Sequence, residues 1–183
     1  MNHTYETDHL YLKVLSHNEA HMVLDFYKRN YKEFALYEPL KYEDATNLNY
    51  HTVMLNYELQ YFKKNQLLRL YLFEKENPFQ IVGTVSFRNI NHSIYKCATL
   101  GYKMDREFRR KGYMEEAIQR GMEIMDKELH LRRVEAIVMP SNTPSINLLS
   151  KLNFQQEGLI RDKVLLNGKW EDHYMYSYIF PNN

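Results

Sequence analysis

Between Met104 and Met114 the chain reads Met-Asp-Arg-Glu-Phe-Arg-Arg-Lys-Gly-Tyr-Met. Arg109, Arg110 and Lys111 stand directly before Gly112. Upstream, Ala98, Leu100, Tyr102 and Met104 alternate with Thr99, Gly101 and Lys103, the period of a strand. Downstream, Met114, Ala117, Ile118, Gly121, Met122 and Met125 recur at helical spacing. A strand, a basic turn and a helix N-terminus together suit a phosphate, because free backbone N–H groups and the helix dipole converge there. Gly112 has no Cβ to keep an anion from the backbone. The plainer alternative is a solvated basic turn. No G-x-x-x-x-G-K-[ST] or G-x-G-x-x-G is present, so this is neither a Walker loop nor a dinucleotide fingerprint. Elsewhere, three side chains could handle a proton. Glu38 is a loop acid beside Pro39, Asp172 is an acid with basic neighbours, and His173 has the intrinsic pKa of a base near neutrality. Each also has a structural reading, as a surface acid, an ion-pair partner and a packed strand histidine. Asn142 and Ser145 by themselves read as residues that cap a helix.

The elements that must position these residues follow from periodicity. Leu10, Leu12 and Val14 alternate as a first strand. Ser16 and Glu19 have capping-box spacing, and the helix after them places Ala20, Val23, Leu24 and Tyr27 on one face. A loop holds Ala35–Leu40, with Pro39 pushing Glu38 out of helical geometry. A second helical run covers Glu43 to Lys64 and breaks once at an unassigned point. Strands are expected at Leu68–Glu74, Ile81–Phe87 and Tyr95–Met104, with Gly83 marking a bulge or a close backbone contact. After the basic turn and its helix comes a buried strand, Val134–Met139, which implies a right-handed parallel crossover. Thr143 is the expected N-cap of a short helix, with Pro144 at its first position. Phe154–Leu166 and Lys169–Phe180 form a last hairpin around Asn167–Gly168.

The chain has 183 residues and suits one domain, 1–183. Lys+Arg 24 against Asp+Glu 23 leaves a net charge of +1, unlike a dedicated nucleic-acid binder. Cys97, the only cysteine, excludes an intramolecular disulfide and reads as a buried, inert thiol. No apolar run approaches the ~20 residues that span a membrane. The N-terminus lacks a hydrophobic signal segment, so no membrane association and a cytoplasmic address are expected. The histidines show no H-x-x-x-H, H-E-x-x-H or C-x-x-C pattern, so no metal is expected. No G-x-S-x-G elbow points to a serine hydrolase. Tyr174, Tyr176, Tyr178 and Phe180 form a period-two aromatic stripe, read either as core or as a face through which the last strands of two chains meet in a homodimer.

Arg109-x-x-Gly112-x-Met114 resembles the pyrophosphate signature Q/R-x-x-G-x-G/A of GNAT-superfamily acetyltransferases, with Met114 in place of the small residue. Leu100–Gly101–Tyr102, Glu107–Phe108, Lys111–Gly112–Tyr113 and Glu116–Ala117 are similar to the Rim type, the enzymes resembling ribosomal-protein N-terminal acetyltransferases. Asn142-x-x-Ser145, Leu148–Leu149, Lys151–Leu152–Asn153–Phe154 and Asn167–Gly168–Lys169–Trp170-x-Asp172–His173 extend the resemblance over most of the chain from about residue 80. It implies an α/β GNAT fold: a mixed, mostly antiparallel seven-stranded sheet flanked by about four helices. It also implies acetyl-coenzyme A as donor. The main chain of Tyr102, Lys103 and Met104 would pair with pantetheine. The amides of Arg109, Arg110, Lys111, Gly112, Tyr113 and Met114 would hold the pyrophosphate. Asn142 would contact pantetheine, and Ser145 would sit near the sulfur and donate to the leaving thiolate. Thr99 stands where Rim-type relatives often place a glutamate. Glu38, Asp172 and His173 therefore remain as base candidates, with Tyr37, Glu38 and Asp172 facing the acceptor.

The implied chemistry needs a neutral amine, a donor for the developing oxyanion and a proton for the thiolate. An α-amino group, with pKa near ~7.8, is on the order of a tenth neutral at pH 7; a lysine amine is neutral in fewer than about one in a thousand. The leading expectation is acetylation of an amine, with the α-amino group of a protein such as a ribosomal protein as first acceptor. The alternatives are a polyamine- or antibiotic-like small amine, and a coenzyme-binding module without catalysis.

Overall fold

The structure is a computed structural model and describes residues 1–39 and 41–181. Leu40, at the end of the loop expected over 35–40, lies outside the described residues. Eight strands and five α-helices are present among them. In chain order they are β1 (Thr4–Glu6), β2 (Leu10–Lys13), α1 (Ala20–Phe34), α2 (Tyr42–Ala45), α3 (Leu48–Lys63), β3 (Leu68–Glu74) and β4 (Ile81–Asn91). Then follow β5 (Cys97–Met104), α4 (Tyr113–Lys127), β6 (Arg133–Val138), α5 (Thr143–Lys151), β7 (Gln155–Leu166) and β8 (Lys169–Ile179). The order is the expected one with two corrections. The sheet has an eighth strand, β1, which pairs with β2 through Thr4↔Lys13 and Tyr5↔Leu12. Its three residues bury only Tyr5, too short a span to show a period. The second helical run divides at Thr46–Asn47, where Asn47 Oδ1 accepts from the backbone N–H of Asn49 at 2.9 Å and of Tyr50 at 3.2 Å. That cap starts a fresh helix and raises the helix count from about four to five.

The sheet order is β1-β2-β3-β4-β5-β6-β8-β7. One face carries α4 and α5 over a core of Leu70, Phe87, Leu100, Ile118, Met125 and Val134. The other face carries α1 and α3 over Val23, Phe26, Leu55, Tyr71 and Phe73. Phe26 is fully buried, a core position that the spacing of Ala20, Val23 and Tyr27 leaves unmarked. The core side chains of α4 are those the periodicity names, with Ile124 added. Gly121 lets α4 press on the sheet, since a Cβ there would come within 2.4 Å of the Phe87 ring. The register slips between Leu72 and Phe73 opposite Gly83, where a Cβ would meet the Lys103 carbonyl at 2.9 Å, so both readings of that glycine hold. Cys97 is half-buried rather than buried, with its thiol pKa raised, first by desolvation.

The last two strands form the expected hairpin, with Asn167 at φ 50° and Gly168 at φ 82°, both in the left-handed region that a tight two-residue turn demands. The aromatic stripe is core: Tyr176 and Phe180 are buried, and Tyr174 and Tyr178 pack against them. β8 lies between β6 and β7, so it has no free edge through which two chains could pair. The edge strand on that side is β7. Among the described residues, no helix is long and apolar enough to cross a membrane.

One feature of the sheet creates the site. β5 and β6 are parallel, as the crossover implies, but they pair only at Cys97↔Arg133, Ala98↔Val134 and Thr99↔Glu135. Beyond Thr99, β5 stays with β4 as far as Met104, and β6 stays with β8 as far as Val138. The two halves of the sheet therefore diverge, and backbone groups of Leu100–Met104 on the β6 side have no ladder partner in β6.

Candidate active site

A cavity of about 550 Å³ fills the wedge between the diverging strands. Leu100, Gly101, Tyr102 and Lys103 line one arm, and Ala136 to Met139 line the other. Of the residues singled out in the sequence, Tyr37, Glu38, Tyr102, Lys103, Asn142, Ser145 and His173 all line this one space. Met104, the turn residues Arg109–Met114 and Asp172 are not in its lining; the Asp172 carboxylate accepts from the backbone N–H of Asp162 at 2.9 Å, across the β7–β8 hairpin.

The basic turn begins with Asp105, which is 3% exposed. Its Oδ2 accepts from Arg29 Nε at 3.2 Å, Arg29 Nη2 at 3.1 Å and Asn30 Nδ2 at 2.9 Å. Its Oδ1 accepts from the Glu107 N–H at 3.1 Å, and Asn30 Oδ1 accepts from the Arg106 N–H at 3.1 Å. The turn is thus fastened to α1 by three side chains that periodicity does not identify; the available signal is Asp105 as cap of a short turn at the end of an apolar strand. Arg110 and Gly112 have φ of 65° and 83°. Left-handed residues separated by one other residue turn neighbouring N–H groups toward one side, as in an anion nest. Gly112 is the N-cap of α4 and has no side chain to cap it, so the first amides of α4 remain available, with the positive end of the helix dipole behind them.

The three cations of the turn are not equally free. Arg109 pairs with Glu33 at 3.0 Å and Lys111 with Glu74 at 3.1 Å. Arg110 is the one in the exposed left-handed position without such a pair among the described residues. Met114 turns into the core and is 9% exposed, so its side chain does not crowd the turn.

Nearer the middle of the cavity, the N-cap of α5 is Asn142, not Thr143: its Oδ1 accepts from the Ser145 N–H at 3.3 Å. This shifts Thr143 and Pro144 to the first two helical positions and leaves the Ser145 hydroxyl outside the cap. Tyr102 Oη donates to the Ser145 carbonyl at 3.4 Å. Burial first raises the Tyr102 pKa, to about 12, so the phenol stays protonated.

The opposite wall is polar and buried. Lys103 Nζ donates to Tyr27 Oη at 2.8 Å and meets Glu38 Oε2 at 2.9 Å. Burial by itself disfavours that ammonium, but Tyr27 and Glu38 outweigh it and the net shift is upward, so Lys103 is charged. Its side chain belongs to this wall; only its backbone faces the wedge edge. The other oxygen of Glu38, Oε1, is buried and has no hydrogen-bond partner among the described residues. His173 Nδ1 lies 3.0 Å from the Glu171 carbonyl. A carbonyl only accepts, so Nδ1 carries the proton of the neutral ring and Nε2 presents a lone pair.

Sequence reasoning missed the rest of this wall. Glu58 and His51 sit on the inner face of α3, at 6% and 2% exposure. Tyr71 Oη donates to Glu58 Oε2 at 2.9 Å. Arg69 Nε stands 2.8 Å from Glu58 Oε1, although its N–H is not aimed at that oxygen. The signal was available: His51, Leu55, Glu58 and Phe62 fall on one helical stripe, and two polar residues there mark a face that meets a cavity. Chemically, the turn offers amides that suit an anion, and the cavity offers unpaired strand backbone and hydroxyls beside carboxylates with fixed cations. Among the described residues, no group of three or more His, Cys, Asp and Glu gathers as a metal would need.

Comparison with known proteins agrees with this arrangement. A family model described as the acetyltransferase (GNAT) domain matches residues 8–155. The [ribosomal protein uS5]-alanine N-acetyltransferase of Escherichia coli (strain K12) is 27% identical over 176 residues, 96% of this chain and 90% of that protein. The crystal structure of ribosomal-protein-S5-alanine acetyltransferase from Vibrio fischeri superposes with a TM-score of 0.92 at 26% identity, covering 99% of this chain and 98% of that one. Mycobacterium smegmatis RimJ in complex with CoA-disulfide shares the fold with a TM-score of 0.87 at 19% identity, over 96% of this chain and 86% of that one.

Proposed function

Because this chain belongs to the acetyltransferase (GNAT) domain family and is an acetyltransferase of the Rim type, we propose that its acceptor is the α-amino group of a polypeptide N-terminus. A ribosomal protein is the first to test, and the chain acts in the cytoplasm as one domain. The donor is acetyl-coenzyme A; the neighbouring fold of Mycobacterium smegmatis RimJ holds a coenzyme A disulfide. The wedge suits a pantetheine arm, since the backbone groups of Tyr102–Met104 on that side lack strand partners in β6. The left-handed pair Arg110 and Gly112 and the uncapped start of α4 suit its pyrophosphate, with Arg109, Lys111, Tyr113 and Met114 contributing amides.

The bound donor supplies an acetyl group activated as a thioester; the chain supplies the rest. Glu38 Oε1 accepts a hydrogen bond from the incoming amine and orients it, with Tyr37 beside it on the loop. His173 Nε2 removes the amine proton, directly or through a water. The free N–H groups of β5 stabilise the oxygen charge that develops at the carbonyl. Ser145 Oγ donates to the departing sulfur, with Tyr102 Oη close by at the start of α5. Asn142 holds the start of that helix in place.

The observation that carries the choice of acceptor is the charge of the wall. Arg69, Arg88 and Lys103, three cations, line the cavity against two carboxylates, Glu38 and Glu58. Glu58 and one oxygen of Glu38 already face Arg69 and Lys103. A polyamine or aminoglycoside would bring several positive charges into a net positive cleft. An α-amine brings one, and a tenth of it is already neutral near pH 7, as its pKa of ~7.8 dictates. The test is release of free coenzyme A thiol with a panel of peptides bearing free N-termini, N-blocked lysine peptides, polyamines and aminoglycosides. The expected result is turnover of the free N-termini at least ten times faster, by kcat/KM, than of any other class. Faster turnover of a polycation would overturn the assignment.

A further inference from the structure

The acceptor wall has a second side. A larger cavity, about 820 Å³, opens between the C-terminal half of α3 and the end of β4. Met54, Glu58, Arg69 and Arg88 line both cavities, so these four side chains form the partition between them. Arg88 differs from the other cations there. Arg69 faces Glu58 at 2.8 Å and Lys103 faces Glu38 at 2.9 Å. Among the described residues, Arg88 makes no ion pair or hydrogen bond, and its cross-strand neighbour on β5 is Thr99, which has no charge to offer. Its guanidinium lies over Gly101 at the mouth of the wedge, where a Cβ would meet Nη2 at 3.3 Å. Desolvation, and then the proximity of Arg69, push its pKa down. This is a cation that gains from an incoming anion.

The space beyond Arg88 has the end of β4 on one side and α3 on the other. Ser86 is opposite Gly101 in the ladder, and Asn91 ends the strand. From Ser86 in the wedge to Asn91 at the far end, five steps of strand rise about 17 Å, the reach of about five extended residues of a bound chain. On the other side stand Tyr57 and Tyr61, with ring centroids 4.2 Å apart, and Lys64 over the Tyr61 ring. A small amine held at His173 would leave this space empty, whereas the residues that follow a polypeptide's first one must go somewhere.

We propose that the acceptor chain leaves the wedge past Arg88 and lies extended between α3 and the end of β4. Arg88 selects an acidic side chain among its first few residues. This rests on the polypeptide N-terminus as acceptor. A charge-assisted hydrogen bond to Arg88 corresponds to roughly ten- to a hundredfold in kcat/KM, carried mainly by KM.

The experiment uses the full chain, acetyl-coenzyme A and synthetic hexapeptides with one fixed N-terminal residue and a single Glu, Gln or Lys placed in turn at positions two to five. The expected result is that Glu at one or two positions raises kcat/KM at least tenfold over Gln, and that Lys there lowers it. Arg88→Gln removes the Glu preference, and Arg88→Lys restores part of it. Both variants keep the parent melting temperature, and the loss is read within each variant as the Glu-to-Gln ratio of kcat/KM. A length series provides a second reading that needs no variant: kcat/KM should rise from the dipeptide to about the pentapeptide and then level off. Peptides that turn over with no charge preference and no length dependence would overturn the groove and leave the polypeptide acceptor standing. Turnover of small amines with none of any peptide would remove both.

Discussion

In the proposed assignment the donor is recognised by backbone N–H groups from one unbroken stretch, Asp105 to the first turn of α4. At the acceptor end recognition is offered by side chains gathered from the α1–α2 loop, α3, β3, β4, β5 and β8. Backbone donors are present whatever the side chains are, provided that the turn keeps its shape. The donor end therefore accommodates Met114, whose side chain is used in the core, and lets two of its three cations pair with Glu33 and Glu74. The acceptor end has no such tolerance. Arg69 and Lys103 are held there by Glu58 and Glu38 while Arg88 is left unpaired among the described residues, so a change of one side chain alters the charge that the substrate meets.

If the donor end is a matter of shape, its most sensitive residue is the one that fastens the turn. Asp105→Ala leaves Arg29, Asn30 and the Glu107 N–H without their buried acceptor. The expected loss is about 3 kcal/mol or more of stability, lowering the melting point by roughly 10 °C. Differential scanning calorimetry checks this, and a melting point within a degree of the parent would show that the turn is held otherwise. Ser145→Ala bears on the middle of the cleft. Asn142 holds the cap, so the hydroxyl is not needed for the helix start. The variant should melt like the parent, bind coenzyme as well, and lose on the order of ten- to a thousandfold in kcat. The reverse pattern, a normal kcat with a lower melting point, would assign Ser145 to the helix.

Gly112→Val isolates backbone shape. At φ 83° a β-branched residue is strained by about 1–2 kcal/mol. There is open space around its position, so the protein should fold while its coenzyme affinity falls on the order of tenfold in calorimetric titration. Unchanged affinity would detach the turn from the donor. The smallest effect belongs to the acceptor end. His51 is buried, its Nε2 donates to the Ala45 carbonyl at 3.0 Å, and desolvation foremost lowers its pKa below 6.5. The folded state therefore binds fewer protons than the unfolded one as pH drops through about 6.5, and stability falls with pH by at most about 1.4 kcal/mol per unit. The fall stops once pH is below the folded pKa. Urea unfolding at pH 7.5 and 5.5 should show this slope in the parent and a shallower one in His51→Gln. Equal slopes would mean that the buried acceptor wall is indifferent to acid.

The same contrast governs what could be read without coordinates. The donor turn was legible because its strand, glycine and helix face are contiguous, and local periodicity with one left-handed position suffices to define them. The Asn167–Gly168 hairpin was legible for the same reason. β1 was not, because three residues pair with β2 for reasons of tertiary contact rather than pattern. The polar residues on the inner face of α3 were missed because His51 and Glu58 look like interruptions in an apolar stripe, and only the cavity beside Glu58 and His51 gives those positions a purpose. Arg69 and Arg88 carried no signal at all, since an outward-facing arginine on a strand has the same sequence signature whether it meets water or a cleft.

The sequence by itself determined the order of the elements from β2 onward apart from the α2–α3 division, the parallel crossover, the helix that backs the turn and the family. The elements depend on hydrogen bonds and side-chain periods local in the chain, and the family on the motifs whose residues resemble it. Tertiary structure alone decided where β5 and β6 part company after Thr99, and which charges then face each other across the gap. The point of divergence is a balance between β4 holding one strand and β8 holding the other, through partners far apart in the chain. The charge of the acceptor wall depends on distances between residues 38, 58, 69, 88 and 103, and linear spacing places no limit on those.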